Sequence, residues 1–216
     1  MVGLPRPLDP PEDRARGHQG EGRLVASRYD DELWELAPGH SHGPPEPRAG
    51  FVRSLEPVDR ALDLGCGDGL VSGLLRAREL TVADVSAVAL ERAARQVPHA
   101  ERAELTPDAP LPFEDSSFDL VLCAEVLEHV RDVQLLLSET RRVLRPGGAL
   151  AITTPAHGRA DGLAILTRGF EQAFDPLSPH LRFLTRRSLR GLLEAMGFDV
   201  RIMRRSAGTL LALATR

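Results

Sequence analysis

The chain has 216 residues, 42% of them hydrophobic and 27% charged, with a net charge of −4, a composition ordinary for a soluble globular protein and long enough for one well-buried domain. No run approaches the roughly 18 apolar residues of a membrane-spanning helix, so no membrane association is expected. Charge is unevenly spread: residues 159–216 hold ten Arg and five acids, a balance of +5, which leaves −9 for residues 1–158. Such a basic end suits either solvated helix faces or an acidic acceptor or nucleic-acid backbone; solvated faces are the simpler reading, and nucleic acid is not expected as a partner. All 27 basic residues are arginine, and lysine and asparagine are both absent. The two cysteines, Cys66 and Cys123, lack the CxxC spacing of metal or redox sites, which points to a reduced, cytoplasmic setting.

In chain order, residues 1–23 are rich in Pro, Gly and Arg, without the apolar stretch of a secretory signal, and read as a disordered tail. Residues 24–45 carry Tyr29 and Trp34 ahead of a Pro/Gly-rich turn and read as an N-terminal flap outside the core. The domain proper is expected over 46–216. A helix near 46–54 is followed by a strand over 60–64, a helix over 70–78, a strand over 80–83, a helix over 86–97 and a weak strand near 101–105. The pattern continues with a strand over 118–123, helices around 125–144, an "RPGG" turn at Arg145 to Gly148 and a strand over 149–153. Such alternation predicts an α/β fold, a doubly wound, Rossmann-like parallel sheet covered on both faces. Ser86, Asp132 and Thr185 are placed to cap helices, and Pro98 and Gly197 to stop them. Residues 157–180 form a less regular excursion with one amphipathic helix. A helix after Thr185 has Leu189, Leu192, Leu193 and Met196 on one face. The last two apolar runs are separated only by Ser206, Ala207 and Gly208, a connection that forces an antiparallel hairpin and makes a seventh strand.

The stretch "RALDLGCGDGLVSGLL" places Gly65, Gly67 and Gly69 where the first strand ends, the corner at which doubly wound sheets bind ligands. Glycine permits φ > 0 and a close approach of backbone to ligand. The dinucleotide pattern GxGxxG fails, because the residue where its third glycine would fall is Leu70. Asp63 puts a negative charge beside the turn, which suits a cationic ligand better than a pyrophosphate.

"LDLGCGDG" resembles the first motif of the class I S-adenosylmethionine-dependent methyltransferases, in their small-molecule branch. "VADVS", "LPFEDSSFDLVLCAEVLEHV", "LRPGGALAITTP" and "HLRFLTRRSLRGLLEAMGFDV" extend the resemblance in the right order through most of the chain after Tyr29. The resemblance implies a cofactor site. Gly65, Cys66 and Gly67 would pass under the methionine part, with Asp63 near its ammonium. Asp84 would hold the ribose hydroxyls, Val85 would lie against the adenine, and Cys123 would line the methionine pocket through its backbone. An acid after the third strand would meet the adenine amino group. Glu104, next to Leu105, fits by position, and Asp108 is the alternative. Tyr29 and Trp34 resemble an element that closes over the cofactor in relatives; packing on the domain without closing is the equal reading.

The acceptor is narrowed only by exclusion. Amino-methylating nucleic-acid enzymes carry [DNS]PP[YFW] after the fourth strand, where this chain has Cys123, Ala124, Glu125 and Val126; cytosine C5 enzymes need a Pro-Cys pair; catechol-type enzymes need an asparagine. A small-molecule acceptor methylated at a hydroxyl is expected. In-line placement supplies most of the rate, and a hydroxyl must also lose a proton. Glu125, Glu128 and His129 are spaced to share a helical face, and with His180 they resemble the divalent-metal set of small-RNA 2′-O-methyltransferases and ubiquinone-pathway O-methyltransferases. Mg²⁺ would suit such O and N ligands, although a helix start bonded to its surroundings accounts for the same residues. His157 is a further base candidate, and the His40–His42 pair reads as solvated flap. A non-enzymatic S-adenosylmethionine-binding module and a nicotinamide-dependent oxidoreductase are the rival classes. The pairing of Asp63 with Asp84 argues against the first and Leu70 against the second.

Overall fold

In the computed structural model, residues 29–36, 45–169 and 180–216 are described. The expected tail over 1–23, the rest of the flap and the middle of the excursion lie outside them. The elements in chain order are α1 (29–36), α2 (Arg48–Arg53), β1 (Val58–Leu64), β2 (Ala77–Asp84), α3 (Ala87–Gln96), β3 (Glu101–Glu104), β4 (Phe118–Ala124), α4 (Val133–Val143), β5 (Leu144–Pro155), α5 (Arg159–Arg168), α6 (Arg186–Ala195), β6 (Asp199–Ser206) and β7 (Thr209–Thr215). The seven strands form one sheet in the order β3-β2-β1-β4-β5-β7-β6. β7 runs antiparallel to both of its neighbours, and the other pairings are parallel, as the short Ser206–Gly208 connection requires.

The central strands are apolar throughout because both faces are covered. Leu62, Leu64, Val121, Leu150 and Ile152 are buried against Leu137 of α4 and Leu189 and Leu193 of α6. Ala61, Leu122 and Ala151 turn to the other face, with Phe51 and Val52 of α2 and Leu90 and Ala93 of α3. The caps expected from sequence form: Ala89 N donates to Ser86 Oγ at 3.2 Å, Leu135 N to Asp132 Oδ1 at 2.9 Å and Ser188 N to Thr185 Oγ1 at 3.1 Å. Gly197 ends α6 at φ +80°. No helix among the described residues is long and apolar enough to cross a membrane.

Three expectations are corrected. The helix over 70–78 is a single 3₁₀ turn, Ser72–Leu74. The glycine turn occupies the residues before it, β2 already begins at Ala77, and Gly73 sits where a helix interior would be. Helical structure around 125–144 is confined to α4, from Val133. Before it, Glu125 takes a left-handed φ of +57° and its N–H extends the ladder by donating to Thr153 O, so 125–131 is a loop. "RPGG" does not separate two elements but bulges within β5: Phe118 opposes Leu144 and Leu120 opposes Ala149. Arg145 of the bulge pairs with Asp119 at 2.6 Å.

Candidate functional site

The parallel strands deliver their carboxyl ends to one edge, and β1 and β2 build the first half of the site there. Gly65 and Gly67 have φ of +75° and +52°, the left-handed region that favours glycine. A Cβ on Gly65 would lie 2.4 Å from Val126 Cγ2, and one on Gly67 would lie 2.7 Å from the Trp34 ring. The turn is thus held between the loop after β4 and α1. Asp84 closes it from the neighbouring strand: Gly67 N donates to Asp84 Oδ2 at 2.8 Å and Ser86 N to Oδ1 at 3.0 Å. Burial pushes the Asp84 carboxyl above its ordinary range, and backbone N–H groups of Ser86, Gly67 and Val85 oppose that rise. Asp63, at the end of β1, is 1% exposed. Its Oδ2 accepts from Ser72 Oγ at 2.6 Å. Burial drives its pKa up to about 7 in spite of that bond.

The remaining residues of this half fall around the same edge. Val85 is half-buried after Asp84. Glu104 is exposed and in register with Asp84, and Leu105 N donates to Asp84 O at 2.8 Å, so both stand beside the Asp84 strand end. Asp108 is engaged elsewhere, in an ion pair with Arg131 at 2.9 Å. Cys66 is buried inside the turn and Cys123 inside β4; burial raises both thiols, which therefore stay protonated.

α1 adds Asp31, which the sequence does not single out, beside Trp34, which it does. Asp31 Oδ1 accepts from Ser86 Oγ at 2.6 Å and from Val88 N at 3.3 Å, so a side chain from 55 positions upstream docks on the start of α3. Trp34 lies against Gly67 and 5.8 Å from the Arg92 guanidinium. The aromatics were visible in the sequence; Asp31 carried no signal, since its role depends on where α1 packs. Ser72, Thr153 and Thr154 carried no signal either, because their bonds to Asp63, Glu125 and Glu128 form only once the turn and strand ends are packed.

The loop after β4 and the segment 180–184 make the second half. Leu181 N donates to Glu128 O at 2.7 Å and His157 N to Leu184 O at 2.8 Å, so this segment bridges the loops after β4 and β5. The expected helical face does not form, and the four proposed metal ligands separate into three and one. Ligand atoms of Glu128, His129 and His180 lie within 4.8 Å of one another. Glu125 is drawn away: its Oε1 accepts from Thr153 Oγ1 at 2.9 Å and its Oε2 pairs with Arg48 at 3.4 Å. Glu128 is 1% exposed, and its Oε2 accepts from Thr154 Oγ1 at 3.0 Å. Burial raises its pKa to about 7. The His157 ring meets the Phe183 ring edge-on at 5.0 Å.

Among the described residues, the buried side-chain atoms without a hydrogen-bond partner are Asp63 Oδ1, Glu128 Oε1, His157 Nε2 and Arg182 Nη1. Each such atom costs about 1–3 kcal/mol when left unsatisfied. All four stand at the ends of β1, β4 and β5 or on the segment that bridges them, which marks this edge as the place where a ligand's polar groups belong.

A doubly wound sheet with this strand order, a glycine turn after β1 and an acid ending β2 define the class I S-adenosylmethionine-dependent methyltransferase fold. Residues 62–152 match the family model described as a methyltransferase domain. The chain is 35% identical over 176 residues to the malonyl-[acyl-carrier protein] O-methyltransferase of Methylococcus capsulatus, an overlap of 76% of this chain and 62% of the relative. It is 32% identical over 158 residues to the ubiquinone biosynthesis O-methyltransferase of Bartonella tribocorum, covering 68% and 64%. The S-adenosylmethionine-dependent methyltransferase structure from Mesorhizobium loti superposes with a TM-score of 0.59 at 20% identity, covering 77% of this chain and 96% of that one, a likeness of fold. The chain therefore carries a methyltransferase domain over residues 62–152, in a fold it shares with S-adenosylmethionine-dependent methyltransferases. It spans less than two thirds of the length of either O-methyltransferase relative.

Proposed function

We propose that the protein is an S-adenosylmethionine-dependent methyltransferase that methylates a hydroxyl of a small-molecule acceptor. The observation that carries this reading is the pairing of a left-handed glycine turn with two buried acids at adjoining strand ends. The residues fit the cofactor. Gly65, Cys66 and Gly67 would face its methionine part, with Cys123 behind. Asp63, whose Oδ1 has no hydrogen-bond partner among the described residues, would face its positive charge. Asp84 would take the ribose hydroxyls by charge-assisted bonds, with Val85 and Leu105 beside the adenine and Glu104 at its amino group. Bound there, S-adenosylmethionine supplies a methyl group already made electrophilic by the sulfonium.

The protein's own work is then to hold the acceptor hydroxyl in line and to receive its proton. His157 Nε2 and Glu128 Oε1 are buried at the acceptor edge without hydrogen-bond partners among the described residues, and either can take that proton. The relatives named O-methyltransferases support oxygen as the methylated atom.

A second reading adds a divalent cation, favoured by the grouping of Glu128, His129 and His180. One carboxylate oxygen and two imidazole nitrogens suit Mg²⁺ or a first-row transition ion, and Glu128 Oε1 is a donor in need of a partner. The ion would bind acceptor hydroxyls and lower their pKa, which favours an acceptor with two adjacent hydroxyls, as on a sugar or RNA terminus or a catechol-like ring. Glu125 has no place in this set. Transfer of labelled methyl from S-adenosylmethionine into a panel of hydroxylated acceptors tests the function, with and without EDTA. The first reading predicts full transfer after chelation and loss of transfer in whichever of His157→Ala and Glu128→Gln removes the base. The second predicts that EDTA and His180→Ala both abolish transfer while cofactor binding persists. No transfer into any hydroxyl acceptor would contradict both.

A further inference from the structure

Docking of α1 assembles more negative charge than the ribose requires. Asp84 Oδ1 accepts from Ser86 N at 3.0 Å and Asp31 Oδ1 accepts from Ser86 Oγ at 2.6 Å, so one serine joins two carboxylates. Asp30, the next residue on α1, is a third. Burial, Asp84 and Asp31, in that order, raise its pKa, while His129 and Arg131 oppose the rise. Both side chains are shared: Arg131 pairs with Asp108 at 2.9 Å, and His129 Nε2 stands 4.0 Å from Glu128. A fourth carboxylate, Asp63, is buried in the same turn with Oδ1 lacking a hydrogen-bond partner among the described residues. Carboxylates packed this closely repel one another unless one takes a proton or a cation lies among them, and a cation relieves all of them at once. Trp34 belongs to the same helix and rests on Gly67, whose N–H holds Asp84, so Asp30 and Asp31 join the two strand-end acids only when α1 is docked on the glycine turn.

Methyl transfer changes the charge of what is bound. The S–CH₃ bond breaks with both electrons left on sulfur, the methyl passes to the acceptor oxygen, and the hydroxyl proton goes to the base. A sulfonium becomes a neutral thioether. We propose that Asp31, with Asp30, makes docking of α1 selective for the sulfonium form of the cofactor, so that the docked helix holds substrate and releases product. The inference rests on the cofactor site proposed above and assigns to α1 a discrimination that the glycine turn alone does not supply.

Trp34 is the chain's one tryptophan, which makes its fluorescence a direct reporter of α1. The experiment measures dissociation constants of the full chain for S-adenosylmethionine and S-adenosylhomocysteine by calorimetry, with Trp34 emission followed in parallel. Asp31→Asn keeps an oxygen for Ser86 and Val88 but removes the charge. It is expected to weaken S-adenosylmethionine about threefold and to leave S-adenosylhomocysteine unchanged, with Asp30→Asn/Asp31→Asn giving roughly tenfold. Raised salt should shrink the wild-type preference, as it does for partly exposed charges. In the wild type, S-adenosylmethionine should shift Trp34 emission more than S-adenosylhomocysteine at saturation. An equal loss of both affinities in the variants would make Asp31 a structural cap alone and overturn the proposal, as would an unchanged ratio. Wild-type protein that binds neither compound would overturn the cofactor site itself, and the selectivity with it.

Discussion

The two halves of the site are built differently. The half at the ends of β1 and β2 is fixed chiefly by backbone, through glycine φ angles and main-chain N–H groups on Asp84, with one serine hydroxyl added on Asp63. The half at the ends of β4 and β5 is fixed chiefly by side chains, reaching from β5 to the loop before α4 and between loops: Thr153 to Glu125, Thr154 to Glu128, His129 against His180 and His157 against Phe183. A backbone-built half tolerates few residues at each position and presents the same surface whatever follows it. A side-chain-built half can be retuned one substitution at a time, as acceptor specificity requires. The changes below break or sharpen this contrast.

The largest effect is expected from Gly65→Ala. The new Cβ would meet Val126 Cγ2 at 2.4 Å in a left-handed backbone, so strain and clash act together. A loss of about 2–4 kcal/mol in stability, by denaturant melting, should accompany loss of detectable cofactor binding. Wild-type affinity in this variant would show that the turn is not under the constraint described.

Asp63 gives a pH signature. Its carboxyl titrates near the usual value in the unfolded chain but at about 7 when folded. The folded state therefore binds more protons between those values, so this contribution is present at low pH and is lost as pH rises through about 7. Asp63→Asn should remove that decline, gaining on the order of a few kcal/mol relative to wild type at pH 8 and little at pH 4. Parallel stability curves for the two proteins across that range would contradict the assignment. Ligand-free protein is required, because a bound cation would lower the same pKa.

The side-chain half should yield smaller, separable effects. Thr154→Val removes the hydroxyl that holds Glu128 Oε2 at 3.0 Å. It should cost about 1–2 kcal/mol in stability and lower turnover, leaving S-adenosylmethionine affinity within about twofold. A loss of cofactor affinity matching the loss of turnover would mean that the two halves are not independent.

The same contrast explains what could be read from the sequence. Asp63, Gly65, Gly67 and Asp84 were legible because strand ends and a glycine turn occur at fixed spacing, and the alternation of apolar runs gave the sheet, its caps and its terminal hairpin. The helix over 70–78 was misread because Leu70, Val71, Leu74 and Leu75 have helical spacing, whereas Ser72 is held to Asp63 and β2 starts too soon for a helix to fit. The shared helical face of Glu125, Glu128 and His129 failed for a related reason. Thr153 and Arg48, distant in sequence, hold Glu125 in a left-handed turn that no local pattern announces. Asp31 was invisible because only the packing of α1 brings it to Ser86.

The central claim is that the glycine turn and Asp84 form a cofactor site, and Asp84→Ala tests it most directly. Calorimetric titration of S-adenosylmethionine into wild-type and Asp84→Ala protein should show binding to the first, weakened by about 1.5–3 kcal/mol in the second, the scale of a charge-assisted hydrogen bond. Equal affinity in the two proteins would contradict the account.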